Sequence, residues 1–384
     1  KIMSEKKLHI ALLFGGNSSE HDVSKRSAHT VFDALDKDKY EVSVFMFNKQ
    51  GFLLGNKDSM RIFDGEPEDA VVAEAIKDVD FSNPLANIQS LSEVKDIDLF
   101  IPVIHGNMGE DGTVQSLFRL LNKPYIGSGI ASSAVSFDKD LTKQLLTYHG
   151  IRNTKYVVVT PENQSEYTYE KCAAELGETL FVKPARQGSS VGIYKVSNKE
   201  EFDKAIQDGF HYDFKILVEE TIANPREVEC SVLGNRDIKA SKLGAIRVPA
   251  EDAFYDYNNK FVDASGVVFE IPVELPENLT KEIQQMSLDA FRVLGNRGLA
   301  RMDFLVDEND VPYFGEVNTL PGFTNISLYP QLWAVSGINY KDLLDRLIQL
   351  AFDEFEDNAK LHYDFVELGS EKLGKGLLTD EDKK

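Results

Sequence analysis

The chain has 384 residues, 42% hydrophobic and 27% charged, with a formal net charge of −21 at pH 7. That length suffices for two or three domains with substantial cores, and the composition is that of an ordinary soluble globular protein. The acidic balance argues against nucleic acid or an anionic membrane surface as partner, and no apolar run approaches the roughly 20 residues of a membrane-spanning helix.

The polar residues 1–7 precede a strand and do not read as a signal peptide. Cys172 and Cys230 carry no metal spacing, so a reducing cytoplasm is the expected compartment. The seven histidines show no His-x-x-x-His arrangement, which argues against zinc.

Residues 8–14 form an apolar strand running into Gly15-Gly16 and Asn17-Ser18-Ser19-Glu20, with a helix expected at 19–35. A strand, a glycine turn and a helix start turn backbone amides and the helix dipole towards a ligand. The spacing is not Gly-x-Gly-x-x-Gly, so a dinucleotide fingerprint is absent. Glu20 would favour the dipole even with no ligand to bind. A second strand is expected at 42–48, followed by a polar, acidic segment at 51–94 with helical stretches and no visible chemistry. A buried-type strand at 97–104 ends in His105-Gly106-Asn107-Met108-Gly109-Glu110-Asp111-Gly112. Open α/β sheets bind ligands at such carboxyl-end loops, although a lone histidine there more often serves structure.

We place a domain boundary near Phe137, just before Asp138-Lys139. Lys139 and Lys143 open a helix that, taken alone, reads as a solvated basic face. A strand at 180–184 carries Lys183 into Ala185-Arg186-Gln187-Gly188-Ser189-Ser190-Val191-Gly192. Small residues let backbone amides approach oxygen and lysine supplies charge, so this loop is suited to phosphate. It is not a Walker loop, since no Gly-Lys-Ser/Thr follows. A strand at 216–219 leads to Glu219-Glu220-Thr221-Ile222, whose adjacent glutamates alone would be surface charge. Beyond a strand at 243–248, the polar and aromatic stretch 250–266 reads as an ordered surface loop.

Residues 297–328 read as a hairpin, with apolar runs flanking Asp307-Glu308-Asn309-Asp310. A turn centred between Asn309 and Asp310 pairs Asp303 with Glu316 and Arg301 with Asn318, unless a bulge shifts the register. Two acids and an amide on one face make an all-oxygen ligand set suited to Mg²⁺. Acids packed together are costly without a cation, and a solvated charged face is the alternative. Gly322, in Leu320-Pro321-Gly322, could bring a backbone amide close to a ligand. An amphipathic helix at 340–357 and a glycine- and charge-rich tail follow.

Arg301-x-Asp303, Glu316-x-Asn318-x-x-Pro321-Gly322 and Ser327-Leu328 resemble the C-terminal signature of the ATP-grasp ligases, more narrowly that of the D-alanine–D-alanine ligase family. The Gly-Gly-x-Ser-x-Glu run ending at Glu20, the loop from His105 to Gln115 and Asp138-Lys139 extend the resemblance over roughly residues 8–355. It implies an α/β, three-domain ATP-grasp fold. The parts would be a Rossmann-like N-terminal domain (1–137), a central subdomain (138–224) and a C-terminal domain (225–365) with a lid at 247–266, before a tail at 366–384. It also implies ATP, two Mg²⁺ ions replaceable by Mn²⁺, D-alanine as first substrate, a D-alanyl phosphate intermediate and a homodimer working in cell-wall precursor synthesis.

By the same resemblance, Glu20 would meet the ammonium of the first D-alanine, with Val23 lining that pocket and His105 near the carboxylate. Lys139, Lys183 and Lys260 would reach the phosphates, Glu219, Glu220 and Ile222 the adenine, and Glu227 the ribose. Ser189 would join a catalytic network, Arg301 and the Gly322 amide an oxyanion hole, and Asp303, Glu316 and Asn318 the metal. Ser327 and Leu328 would hold the second substrate's carboxylate. Dipeptide-forming members usually carry tyrosine after the lid lysine, where this chain has Phe261. An apolar wall there disfavours the ammonium form that dominates D-alanine at neutral pH, and it spares the neutral hydroxyl of D-lactate. The expected product is therefore D-alanyl-D-lactate, the type associated with vancomycin resistance, with more dipeptide as pH rises. The alternatives are an ordinary D-alanine–D-alanine ligase or another ATP-grasp ligase.

Overall fold

The computed structural model describes residues 6–247 and 268–363. Three sheets organise them. β1 (Leu8–Gly15), β2 (Tyr40–Phe47), β3 (Leu53–Leu54) and β4 (Leu99–Pro102) form the first, in the order β3-β2-β1-β4. β1 runs parallel to β2 and β4, while β3 is an antiparallel edge. One face of β1 packs Ile10, Leu12 and Phe14 into one core, and the other packs Ala11 and Leu13 with Phe45, Phe100 and Phe118. A strand buried on both faces must be apolar without alternation, as 8–14 is. β2 starts earlier than its apolar run suggested, because Tyr40 and Glu41 already pair with Leu8 and His9 of β1. The segment 51–94 contains the helices Asn56–Phe63 and Glu68–Ile76 and a 3-10 stretch, Ala86–Val94.

β5 (Tyr156–Val159), β6 (Leu180–Pro184), β7 (Tyr194–Val196) and β8 (Ile216–Glu220) form a second sheet in the order β5-β8-β6-β7, antiparallel throughout. β9 (Arg226–Gly234), β10 (Lys239–Arg247), β11 (Val268–Glu270), β12 (Gly298–Val306) and β13 (Pro312–Asn318) form a third antiparallel sheet, in the order β11-β10-β9-β12-β13. The helix Glu277–Val293 lays Leu279, Ile283, Ala290 and Phe291 on one face of this sheet, against Val228, Cys230 and Phe304. This pair of antiparallel sheets beside an open parallel one is the α/β architecture expected.

The helix Tyr340–Ala359 is capped by Asn339, whose side chain accepts from Asp342 N–H at 3.0 Å. Its buried face, Leu343, Leu344, Leu347, Ile348 and Ala351, returns to the first sheet and shares one core with Ile10, Leu12 and Phe14. Each such leucine contributes about 2 kcal/mol by leaving water. Leu299, Leu320 and Phe323 enter the same cluster, so the C-terminal third of the chain completes the N-terminal core. Cys172 and Cys230 are buried free thiols, each pushed up to about 11 by burial. Among the described residues, no helix is long and apolar enough to cross a membrane.

Candidate active site

The β12–β13 hairpin pairs Asp303 with Glu316 and Arg301 with Asn318, as the alternation of its residues predicted. The register at the turn differs from that reading, since Val306 opposes Pro312, which centres the turn on Asn309. A bulge between Asp303 and Phe304 restores the expected pairs, leaving Gly315 as the extra residue. A Cβ at Gly315 would stand 3.1 Å from the Asp303 carbonyl oxygen, so glycine suits the bulge.

Arg301 is pinned by two carboxylates. Its Nε and Nη2 donate to the two oxygens of Asp303, each at 2.8 Å, and Nε also lies 2.9 Å from Glu229 on β9. Burial opposes the guanidinium charge, but Asp303 and Glu229 hold its pKa well above the ordinary range. Nη1 makes no hydrogen bond among the described residues. Asn318 Nδ2 donates to Asp303 at 3.0 Å, and Lys139 Nζ stands 3.8 Å from Glu316. Glu229 was not singled out from the sequence. Its signal is the alternation of β9, in which Val228, Cys230 and Val232 enter the core while Glu227, Glu229 and Ser231 take the other face.

A cleft of about 580 Å³ opens on this face, lined also by the helix His21–Ala34, the His105 loop and residues 187–189. Glu20, Val23, His105, Lys139, Ser189, Arg301, Glu316, Asn318, Gly322, Ser327 and Leu328 line it, so much of the expected site converges. The Glu20 carboxylate is seated between two glycines. A Cβ would come within 2.9 Å of its Oε2 at Gly106 and within 3.0 Å at Gly188. Beyond Gly188, Ser189 and Ser190 adopt φ of 54° and 62°, left-handed values that cost a serine about 1–3 kcal/mol each. Lys139 Nζ closes on this loop, donating to the Gln187 carbonyl at 2.6 Å. Burial pulls the Lys139 pKa down while the Glu316 charge opposes the shift. Ser327 precedes the helix Leu328–Val335 without capping it through its side chain, and its Oγ instead accepts from Thr324 N–H at 3.0 Å.

Lys143, which read as solvated from composition, is buried. Its Nζ donates to Thr154 Oγ1 at 2.7 Å and lies 3.3 Å from Glu219. Lys183 approaches the same carboxylate at 2.7 Å. Burial resists ionisation of Glu219, yet Lys143 and Lys183 hold its carboxyl at about 2. Glu219 is therefore an internal counter-charge for two lysines. Glu220, at the end of β8, accepts from Lys155 N–H at 2.7 Å, and Ile222 follows that strand. Glu227 lies near the start of β9. Lys260 and Phe261 lie outside the described residues, as do most of the expected lid and the tail.

Residues 9–128 match the family description "D-ala D-ala ligase N-terminus", and residues 145–349 match "D-ala D-ala ligase C-terminus". The chain is 81% identical to a D-alanine–D-alanine ligase of Ligilactobacillus salivarius, over 98% of this chain and 100% of that one. It is 67% identical to one of Limosilactobacillus reuteri, over 96% and 98%. Among solved structures, the D-alanine–D-alanine ligase of Coxiella burnetii superposes with a TM-score of 0.76 at 37% identity, over 92% and 98%. VanG, a D-Ala:D-Ser ligase of Enterococcus faecalis, superposes at 0.75 and 32%, over 90% and 100%.

Proposed function

Because the chain belongs to the D-alanine–D-alanine ligase family, and is thus an ATP-dependent ligase with an ATP-grasp fold, we propose that it activates one D-alanine and joins it to a second. The first D-alanine's carboxylate would take the γ-phosphoryl group of ATP, and the second would attack the resulting acyl phosphate. The names of the relatives favour D-alanine as the acceptor. The D-lactate acceptor expected from the sequence finds no support in them and stands as a second reading carried by Phe261 alone.

Asp303 and Glu316 offer hard carboxylate oxygens from directly paired positions, flanked by the cations Arg301 and Lys139, a donor set that fits Mg²⁺. Asp303, Glu316 and Asn318 would hold the metal, which when bound supplies charge neutralisation at the phosphates. Lys139, Lys183 and Lys260 bind phosphate oxygens, helped by the amides of the Ser189–Ser190 turn. Ser189 hydrogen-bonds within the site, Glu220 and Ile222 read the adenine edge, and Glu227 binds the ribose. Glu219 serves by holding Lys143 and Lys183 in place. Glu20 accepts from the ammonium of the first D-alanine beside Val23. Ser327 and Leu328, at a helix start, orient the acceptor's carboxylate.

The observation that carries this reading is the fixed guanidinium of Arg301, whose Nη1 makes no hydrogen bond among the described residues, on a residue that lines the same cleft as Gly322. Two donors held ready at a developing oxyanion are worth about 3–4 kcal/mol apiece. The same reading divides the chain at 1–137, 138–224 and 225–365 and places a homodimer in the cytoplasm.

The test supplies ATP, D-alanine and D-lactate together between pH 6 and 9 and identifies products by mass spectrometry. D-Alanyl-D-alanine as main product throughout supports the first reading. D-Alanyl-D-lactate dominating at neutral pH, with dipeptide rising as free amine increases, supports the second. Absence of both, with no phosphate released, overturns the function.

A further inference from the structure

Both ring nitrogens of His105 are occupied by the protein itself. Nδ1 lies 2.8 Å from the Leu320 carbonyl oxygen, and Nε2 lies 2.9 Å from Ser27 Oγ. A carbonyl can only accept, so Nδ1 carries the proton. Nε2 is then the acceptor for the Ser27 hydroxyl, and Ser27 Oγ in turn accepts from Phe323 N–H at 3.3 Å. Burial pushes the imidazole below its ordinary range, which agrees with a neutral ring. Glu110 works beside it. One of its oxygens accepts from Gly106 N–H at 2.8 Å and the other from Leu320 N–H at 2.9 Å.

The turn that carries Gly322 is thus tied at both ends to the first sheet's loop and helix. Leu320 is held through its N–H and its C=O, and Phe323 through its N–H. These ties span more than half of the chain, because Glu110 and His105 precede Leu320 by 210 and 215 positions.

We propose that His105, Glu110 and Ser27 are positioning residues that set the Gly322 amide, and that the His105 ring does not bind the substrate carboxylate. The inference rests on the reading above, in which the Gly322 amide acts on the reacting acyl group. The first sheet, which holds the D-alanine through Glu20, thereby also sets a donor contributed by the third.

Steady-state kinetics of His105→Ala, His105→Asn and His105→Gln test it, together with hydrogen exchange at Leu320 and Phe323. A misplaced donor costs about 100-fold, so His105→Ala should lose about that much kcat with the KM for D-alanine unchanged within a few-fold. His105→Asn places an N–H near the lost Nδ1 and should recover most of the loss, whereas His105→Gln mimics Nε2 and should not. A rise of tenfold or more in KM at unchanged kcat would make His105 a ligand and overturn the proposal. Should His105→Ala fail to fold, the order of the Asn and Gln variants decides, and Gln equal to Asn overturns it. The exchange is read whether or not the protein turns over. Faster exchange at Leu320 and Phe323 in His105→Ala, and at Leu320 in Glu110→Gln, supports the coupling, and unchanged exchange overturns it. A wild-type protein that makes no product overturns only the ligase reading.

Discussion

Glu219 shows how far one carboxylate can govern its surroundings. Its folded pKa is about 2 against an ordinary 4.5. Its contribution is therefore fully present above about pH 4.5 and is lost as pH falls towards 2, amounting to about 3 kcal/mol. Urea midpoints should fall steeply through that window. Glu219→Gln should flatten this dependence and cost about 3–5 kcal/mol at pH 7, because it leaves two lysines without their counter-charge. A variant as stable as wild type would show that the lysines find other partners. At Arg301 the expected loss is kinetic. Arg301→Lys keeps the charge but gives up the planar fork that engages Asp303 and Glu229, so phosphate release should drop about 10²–10³-fold with ATP affinity retained. Loss of ATP binding instead would place Arg301 on the phosphates. Arg301 and Glu20 were marked in the sequence by the motifs that carry the family resemblance, and both line the cleft. Those motifs said nothing of Lys143, because whether a lysine on a helix is wet or buried depends on a strand 76 positions away.

At the level of elements, the hairpin was the most legible part of the chain. Alternating apolar residues and a four-residue polar turn determine the register to within one position, and the remaining error was absorbed by a bulge at Gly315. What alternation could not show was that Gly106 and Gly188, from separate loops, make the seat for Glu20. Gly106→Ala should test that seat. Its φ of +75° costs alanine about 1–2 kcal/mol, and the added Cβ presses on Glu20 Oε2. The KM for D-alanine should rise about tenfold, an estimate scaled to loss of a charge-assisted contact. Gly65→Ala is the matched control, with φ of +104° and nothing within 4 Å. It should show a similar stability loss and an unchanged KM. Equal kinetics in the two variants would remove the seat from the argument.

On the scale of the whole molecule, the helix Tyr340–Ala359 binds the two ends of the chain together. Its periodicity marked an apolar face, but periodicity never says what covers that face, and the cover is the helix Leu328–Val335, β12 and, about 300 residues earlier, the helix His21–Ala34. Leu347 is 1% exposed within the shared core. Leu347→Ala should cost about 2–5 kcal/mol. A chain ending at residue 338 should fail to fold its N-terminal sheet, read as lost near-ultraviolet circular dichroism and insolubility. A soluble, folded 1–338 fragment would show that the first sheet does not need the helix.

The two buried thiols have a practical corollary. With Cys172 and Cys230 enclosed and held protonated, a thiol-reactive chromogenic disulfide should count close to none in the native protein and two in denaturant. The wild-type chain is then already a silent background for spectroscopy. Cysteines placed at Leu120 and Phe214, 85% and 73% exposed, would be the reactive pair, and dyes could be attached there without any native cysteine being removed.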